Sequence, residues 1–299
     1  MDMGDQKNNK EEEMRQFPAI PDQNKILIVD ISKWQDDPDT PLGVDFALMK
    51  SRKVSGVIMK VGQGMYVDRA WEAAVRSALE DTMPIGGYWY YDNRVEPKRQ
   101  AKVMADALRD YPLPLGLWLD LEDKQEGAYK GWKNWYTFLE KLKELMPGKK
   151  IGIYTGYYYW TERTVMSQIP KASLQYFKQY PLWIASYNAV PLIPDPWKPD
   201  YLIWQFTDLL DGAYYGVESK ELDGNYLNSD VSFDETFGIS NTVSKEPTKK
   251  FIVGLQEYAI TLGGTLEDIK IIEVTSKSNS QEAVKLMNYI LELDRNQGA

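Results

Sequence analysis

Two carboxylates lie two residues apart at the end of an apolar run, in the segment Leu117–Asp123, which reads Leu-Trp-Leu-Asp-Leu-Glu-Asp. The run predicts a β-strand, and because side chains alternate across a strand, Asp120 and Glu122 share one face. Two adjacent carboxylates cannot both ionise freely, so repulsion raises the pKa of one into the range of a general acid. The alternative is a pair of solvated acids where a strand meets a loop.

A third carboxylate, Asp30, follows the apolar run Ile26–Val29 in the same way. If the strands are parallel and close into a barrel, their C-terminal ends meet at one rim, and Asp30 then lies near Asp120 and Glu122. An Asp in this position is also common as a helix cap or turn residue, so a purely structural role is the alternative.

Aromatic side chains cluster after several of the predicted strands. They are Tyr88–Tyr91, Tyr157–Trp160, Trp183, Tyr187 and Trp204. Flat rings beside carboxylates suit sugar binding, because apolar sugar faces stack on rings while amides such as Gln205 and Asn225 bind hydroxyl groups. The alternative is ordinary packing, since buried Trp and Tyr are common in protein cores.

The amino-acid composition limits the kinds of catalytic group, metal site and partner that the chain can have. The chain of 299 residues has no Cys and no His, which excludes disulfides, thiol nucleophiles, thiolate metal sites and an imidazole base. A net charge of −9 argues against nucleic acid as a partner, because a phosphate-backbone binder needs a basic face. Any catalysis must therefore depend on carboxylates, Lys, Tyr or Ser, and we predict no cofactor and no metal ion.

Short apolar runs alternate with amphipathic stretches from residue 26 onward, which is typical of parallel strands covered by helices. The predicted strands are Ile26–Val29, Gly56–Met59, Ile85–Tyr90, Leu117–Leu119, Ile151–Tyr154, Leu182–Ile184 and Tyr201–Trp204. The predicted helices are Phe46–Arg52, Arg69–Glu80, Lys98–Asp110 and Tyr129–Met146. We predict an α/β fold, an irregular TIM-like (β/α) barrel whose regularity fades after about residue 160, with a small α+β C-terminal region.

The two ends of the chain differ from the barrel in composition. Residues 1–24 form a predicted flexible arm, residues 25–239 the barrel, residues 240–250 a linker and residues 251–299 a small domain for wall binding or oligomerisation. Within that domain we predict strands at Phe251–Val253 and Ile269–Val274 and a helix from about Ser280 to Asp294. The first apolar run is too short for a signal peptide or a membrane span, so we expect synthesis in the cytoplasm and no membrane insertion.

Five segments, in order along the chain, resemble glycoside hydrolase family 25, the lysozymes of the Chalaropsis type found among phage endolysins and bacterial autolysins. They are Asp30–Gln35, Trp118–Glu122, Leu182–Tyr187, Trp204–Thr207 and Leu222–Tyr226. The resemblance covers about residues 25–237 and implies an irregular (β/α) barrel with five βα units and a less regular antiparallel end. It also implies hydrolysis of the β-1,4 bond between N-acetylmuramic acid and N-acetylglucosamine in bacterial peptidoglycan.

Matched position by position, the resemblance gives Glu122 the role of general acid/base and Asp120 that of the second acid of the pair. It matches Asp30 and Asp223 to the family's other two acids, although Asp230 and Asp234 lie close to the latter in sequence. The predicted substrate-binding residues are Trp34, Lys60, Tyr88, Tyr90, Tyr154, Trp183, Tyr187, Trp204, Gln205 and Asn225. For Lys60, an ion-pair role is favoured over that of a nucleophile.

The chain departs from the family pattern at two places. It has Tyr88-Trp89-Tyr90 where the family often has a Tyr-His-Phe-like run, and Gln63-Gly64 where the family often has Glu-Gly. These changes concern substrate contacts and the hydrogen bonds behind them, so they affect specificity and optimum pH more than the type of reaction.

Three functions follow from this reading. The first is a retaining muramidase, a phage endolysin made in the host cytoplasm that acts on the cell wall after release. The second is a non-catalytic glycan-binding or virion structural module on the same barrel, and the third is a glycosidase for another polysaccharide such as chitin. The first two differ in turnover, because only an enzyme releases new reducing ends.

Overall fold

The computed structural model describes residues 17–36, 43–163 and 169–239 and, further on, residues 256, 259–260, 263–275, 285–286, 288–290 and 293. The chain divides into two compact units, Met1–Gly238 and Ile239–Ala299. Most of the predicted arm and the whole predicted linker 240–250 lie outside the described residues. Residues 17–24 of that arm are described, and they are bonded to the barrel: the Ala19 N–H donates to Leu209 O at 2.8 Å.

The first unit is built around nine strands. They are β1 Leu27–Ile31, β2 Val54–Gln63, β3 Tyr66–Val67, β4 Ile85–Tyr90, β5 Leu117–Leu121, β6 Ile151–Gly156, β7 Leu182–Ala185, β8 Ile203–Asp211 and β9 Glu221–Leu227. All except β3 close into a barrel in chain order, with β9 returning to β1. The strands β1 to β8 of the barrel run parallel, and β9 is antiparallel to both of its neighbours. The predicted irregular α/β barrel is therefore confirmed.

Helices connect the strands and cover the outside of the barrel. They are α1 Phe46–Ser51, α2 Trp71–Glu80, α3 Pro97–Leu108, α4 Trp132–Leu145, α5 Lys171–Lys178 and α6 Phe233–Phe237. Their apolar faces pack on the outward-facing strand residues, and this layer forms the main hydrophobic core. Burial of the strands on both faces explains their continuous apolar sequences.

The inward face of the strands fills the barrel with large side chains. Trp118 and Trp183 lie there with ring centres 5.7 Å apart and are almost fully buried. Gly152 on β6 makes room for them, since a Cβ at that position would lie 2.3 Å from the Trp118 ring. The interior of the barrel is thus filled by packed rings. Its polar residues lie at the end of the barrel where the parallel strands finish.

The last strand, β9, was not predicted. Its inward-facing residues include Asp223 and Asn225, and it carries Gly224 between them, so its sequence has no apolar run. The neighbouring strand was only partly predicted, since β8 extends to Asp211 rather than ending at Trp204. Polar residues face inward here because this part of the barrel borders the candidate site.

In the second unit, the strand predicted at Ile269–Val274 is wrong, because these residues belong to helix α7, Leu266–Thr275. The Thr265 hydroxyl accepts a hydrogen bond from the Asp268 N–H at 3.1 Å and begins the helix. The unit has its own small apolar cluster, formed by Ala259, Ile269, Leu286 and Ile290.

Two other predictions for the second unit have different outcomes. The predicted strand Phe251–Val253 lies outside the described residues. Within the predicted helix from about Ser280 to Asp294, residues 285–286, 288–290 and 293 are helical. Among the helices that the structure describes, none has the length and hydropathy required to cross a membrane.

Candidate active site

The four predicted acids occupy the end of the barrel where the parallel strands finish. Asp30 lies near the end of β1, and Asp120 lies near the end of β5, with Glu122 directly after that strand. Asp223 lies in β9, opposite Asp30 in the antiparallel pairing of β9 with β1. Burial raises the pKa of the Tyr88 hydroxyl, and the charges of all four acids raise it further. The closed sheet therefore brings residues from three separate strands to one site.

Asp30 is held by two amide side chains. Asn225 Nδ2 and Gln205 Nε2 donate to its Oδ2 at 2.8 Å and 3.1 Å. Asn225 is itself oriented by Trp183, whose indole N–H donates to Asn225 Oδ1 at 2.7 Å. Burial raises the pKa of Asp30 to about 6, although these hydrogen bonds act in the opposite direction.

Two tyrosines complete this hydrogen-bond network. The hydroxyl groups of Tyr154 and Tyr187 each donate to Gln205 Oε1 at 3.0 Å. Both acceptor and donor groups of the Gln205 amide are therefore used, and the amide has one fixed orientation. The network links strands β1, β6, β8 and β9 beneath the site.

Asp120 is 3% exposed, and its Oδ1 has no hydrogen-bond partner among the described residues. Burial raises its pKa well above the usual value, and the Glu122 charge raises it further, while Lys60 lowers it. Burying a carboxylate oxygen without a hydrogen-bond donor costs free energy. This oxygen is therefore suited to accept a hydrogen bond from a donor group of the substrate.

Glu122 is only half-buried, so a substrate can reach it. Burial raises its pKa, and the charge of Asp30 adds to this, while Lys60 and Lys124 lower it. A carboxyl group whose pKa is raised and which remains accessible has the properties of a general acid.

Other predicted substrate-binding residues lie around these acids. Lys60 Nζ is 3.3 Å from Gln63 Oε1 and 4.9 Å from the centre of the Tyr90 ring. Trp34 lies in the short 3₁₀ helix directly after β1 and is 72% exposed, with Lys33 Nζ 4.9 Å from the centre of its ring. The exposed part of this ring is accessible for stacking on a sugar. Tyr187 is also exposed.

Two tryptophans need correction. Trp183 is 1% exposed, with the rings of Tyr88, Trp118 and Tyr154 packed against it, so it forms the floor of the site and has no free face for a sugar. Trp204 lies on the outer face of β8, where its ring packs near Tyr226. Its neighbour Gln205 faces inward, and alternation along the strand therefore turns Trp204 away from the acids.

Sequence reasoning missed the role of three residues that hold the backbone on either side of Glu122. Asn93, Thr155 and Tyr159 donate hydrogen bonds to the backbone on either side of it. They come from different loops and strands, and only the fold brings them together, so no local motif could have identified them. In the part of the chain that the structure describes, no group of three or more acidic side chains is arranged to hold a metal ion.

Comparison with known proteins gives a family and a set of similar folds. The sequence matches the family described as Glycosyl hydrolases family 25 over residues 29–212. The fold is similar to a family 25 glycosyl hydrolase from Bacillus anthracis, with 19% identity, coverage of 74% of this chain and 97% of that chain, and a TM-score of 0.56. No curated protein matches the sequence.

Two further solved structures are similar. A muramidase from Trichobolus zukalii has 25% identity, covers 70% of this chain and 96% of its own, and gives a TM-score of 0.54. The catalytic domain of endolysin ply40 from bacteriophage P40 of Listeria monocytogenes has 24% identity, the same two coverages, and a TM-score of 0.53.

Proposed function

The chain belongs to glycosyl hydrolases family 25, and from that premise we propose that it is a retaining lysozyme that cleaves peptidoglycan. The bond cleaved is the β-1,4 linkage between N-acetylmuramic acid and N-acetylglucosamine. The main support is the acid pair at the mouth of the barrel, in which Asp120 is buried and Glu122 is accessible with a raised pKa. The similar muramidase from Trichobolus zukalii supports the same substrate class.

In this mechanism, Glu122 donates its proton to the glycosidic oxygen as the bond lengthens toward an oxocarbenium-like state. Asp120 stabilises the charge that develops at the anomeric carbon, or orients the 2-acetamido group of the substrate as an internal nucleophile. A water molecule then attacks the anomeric carbon from the face that the leaving group has left and gives its proton to the Glu122 carboxylate. Because the new C–O bond forms on the same face as the broken one, the configuration at the anomeric carbon is retained. Asp30 and Asp223 set the geometry and charge around the pair.

The test is digestion of purified cell walls, with mass spectrometry of the released fragments. The wild-type protein should release fragments that end in N-acetylmuramic acid at the reducing end. Glu122→Gln should lower the rate by about 10²- to 10⁴-fold, because the amide cannot donate an equivalent proton. The control is Glu126→Gln, which removes an exposed acid of the same loop that is paired with Lys130.

The outcomes separate the three functions. Full activity of Glu122→Gln, or loss of the same size in the Glu126 control, would refute the assignment of the acid. A wild-type protein that binds cell walls but releases no new reducing ends is a glycan-binding module. Faster cleavage of chitin oligomers than of peptidoglycan identifies a different polysaccharide as the substrate.

We also propose that the protein acts as a phage endolysin, made in the cytoplasm and released to the wall. The support is its similarity in fold to the endolysin catalytic domain of bacteriophage P40. Expression in a susceptible host should cause lysis only after the inner membrane is permeabilised. Lysis without permeabilisation, or none with it, would contradict this proposal.

A further inference from the structure

The Glu122 carboxyl group has no hydrogen-bond partner among the described residues, so its direction depends on the backbone that carries it. Three donors hold that backbone from two sides of the site. We propose that Asn93 and Tyr159 are positioning residues that hold Glu122 in line with the bond to be cleaved. This inference rests on the proposed glycosidase function.

The first side is β6 and the short π-helix after it, Tyr159–Arg163. Thr155 Oγ1 donates to the carbonyl of Leu121 at 2.8 Å, and the Tyr159 hydroxyl donates to the carbonyl of Asp123 at 3.0 Å. These carbonyls belong to the two residues that flank Glu122 in sequence. Both donors are buried, so water does not compete for the bonds.

The second side is the loop between β4 and α3, where Asn93 is fully buried. Its backbone N–H donates to Asp123 Oδ2 at 2.9 Å, and its Nδ2 donates to the carbonyls of Asp123 at 3.0 Å and Gln125 at 2.9 Å. Asn93 therefore holds both the side-chain carboxylate and the backbone carbonyl of Asp123, the residue after Glu122. Loss of the Asn93 side chain removes two bonds but leaves the backbone bond.

Asn93 is itself fixed to a helix. Gln100 in α3 is fully buried, and its amide accepts from the Asp92 N–H at 3.0 Å and donates to the Asp92 carbonyl at 2.9 Å. Gly127 lies so close that a Cβ there would be 2.1 Å from Asn93 O. Covalent and hydrogen bonds thus connect α3, through Asp92 and Asn93, to Asp123, the residue directly after Glu122.

A positioning role predicts a change in the pH profile as well as in rate. If the loop relaxes, Glu122 meets more water, and its raised pKa falls toward the ordinary value. Since a general acid must be protonated, the loss of activity at high pH then begins at a lower pH. The other charged or titratable groups that act on Glu122 stay in place in these variants: Asp30, Lys60, Tyr88, Tyr90, Asp120, Lys124 and Tyr154.

The experiment measures kcat, KM and the pH profile of Asn93→Ala and Tyr159→Phe on purified peptidoglycan. Asn93→Ala should lower kcat by about 10- to 100-fold with little change in KM, because a small displacement of a catalytic group is enough for such a loss. Its descending pH limb should move to lower pH. Tyr159→Phe should show a smaller decrease in kcat and a smaller shift of the descending pH limb.

The matched control is Tyr91→Phe. The Tyr91 hydroxyl is also buried and donates to a carbonyl of the same loop, that of Tyr129, at 2.9 Å, but six residues beyond Asp123. The control should keep kcat within about twofold of wild type, since surrounding bonds still hold the distant end of the loop. If Asn93→Ala does not fold, the two tyrosine variants alone decide.

Equal losses in Tyr159→Phe and Tyr91→Phe would overturn the proposal, because they would show a general loss of loop stability. An unshifted pH profile in a folded Asn93→Ala variant would do the same. A wild-type protein without turnover refutes the proposed function instead, and the two failures are therefore distinct.

Discussion

Asp30 is a buried acid whose carboxylate accepts hydrogen bonds on one oxygen from Asn225 and Gln205. Its pKa of about 6 in the folded protein lies above the usual 3.8, so the folded state binds the proton more tightly than the unfolded chain. Stability is therefore lost as the pH rises from about 4 to about 6 and is level above that range.

Asp30→Asn should be more stable than wild type at pH 7, by up to about 3 kcal/mol, because the neutral amide has no charge to desolvate. The amide oxygen can still accept from Asn225 and Gln205, and its N–H group can donate to Asp223, with which Asp30 is hydrogen-bonded. Urea unfolding at pH 4 and pH 7 measures the difference, which should be small at pH 4. A gain of equal size at both values would contradict the titration of Asp30.

Lys60 lowers the pKa of both Asp120 and Glu122, whereas Lys124 lowers that of Glu122. Lys60→Met should therefore move both limbs of the pH–rate profile to higher pH, since loss of a nearby positive charge favours the protonated acids. Lys124→Met is the control and should move only the descending limb. The same shift in both variants would show that the two acids do not titrate separately.

At the level of secondary-structure elements, the packing inside the barrel depends on which strand positions are glycine. Gly152 and Gly156 lie in the same strand, β6, but only Gly152 faces a ring: its Cβ would lie 2.3 Å from Trp118, while that of Gly156 would lie 3.8 Å from Tyr159. Gly152→Ala should destabilise the protein by about 1–3 kcal/mol through overpacking, and Gly156→Ala should change stability by less than about 0.5 kcal/mol.

Urea unfolding of these two variants at one pH measures the difference. If they behave alike, Trp118 can move aside, and the interior of the barrel is looser than its packing indicates. The comparison is internal to one strand, so differences in strand propensity between Gly and Ala cancel.

Much of the barrel could be predicted because strands buried on both faces are continuously apolar, as in β4, Ile85–Tyr90, whose bounds were predicted without error. Strand β9 was missed because its inward face carries Asp223 and Asn225 in place of apolar residues. In α7, β-branched residues suggested a strand, but Ile269 packs in the apolar cluster with Ile272 at helical spacing against it. Tertiary packing outweighed local propensity there.

The same reasoning explains what could be predicted of the site. Alternation in β5 placed Asp120 and Glu122 on one face, and closure of the sheet brought Asp30 to the same end. Asp223 lies on the missed strand β9 and was assigned only through the family resemblance. The outward direction of Trp204 follows from the same alternation, so this error was avoidable. The bonds that Asn93 makes could not be predicted, because they join loops between different pairs of elements.

In the whole molecule, each of the two units has its own apolar cluster. A chain that ends at Gly238 should therefore keep the melting temperature of the barrel and its activity on soluble glycan fragments. Differential scanning calorimetry and fragment analysis measure both. A barrel that melts at a lower temperature or loses turnover on these fragments would show that the second unit stabilises the first.

The shortened chain also tests the predicted role of residues 251–299. Sedimentation compares its mass with that of the full chain, and pelleting with cell walls compares their binding. If the region mediates self-association, only the full chain should form oligomers. If it anchors the protein, only wall binding should decrease, and no change in either measurement would exclude both roles.

The antiparallel strand β9 closes the barrel, and it comes last of the barrel strands in order of synthesis. On a ribosome, the segments carrying Asp30, Asp120 and Glu122 emerge well before Asn225, which must pair with Asp30 to orient it. Chains are made at about 5–20 residues per second, so a growing chain lacks a complete site for several seconds after its acid pair has emerged. The enzyme therefore acquires its activity only when translation of the barrel is finished.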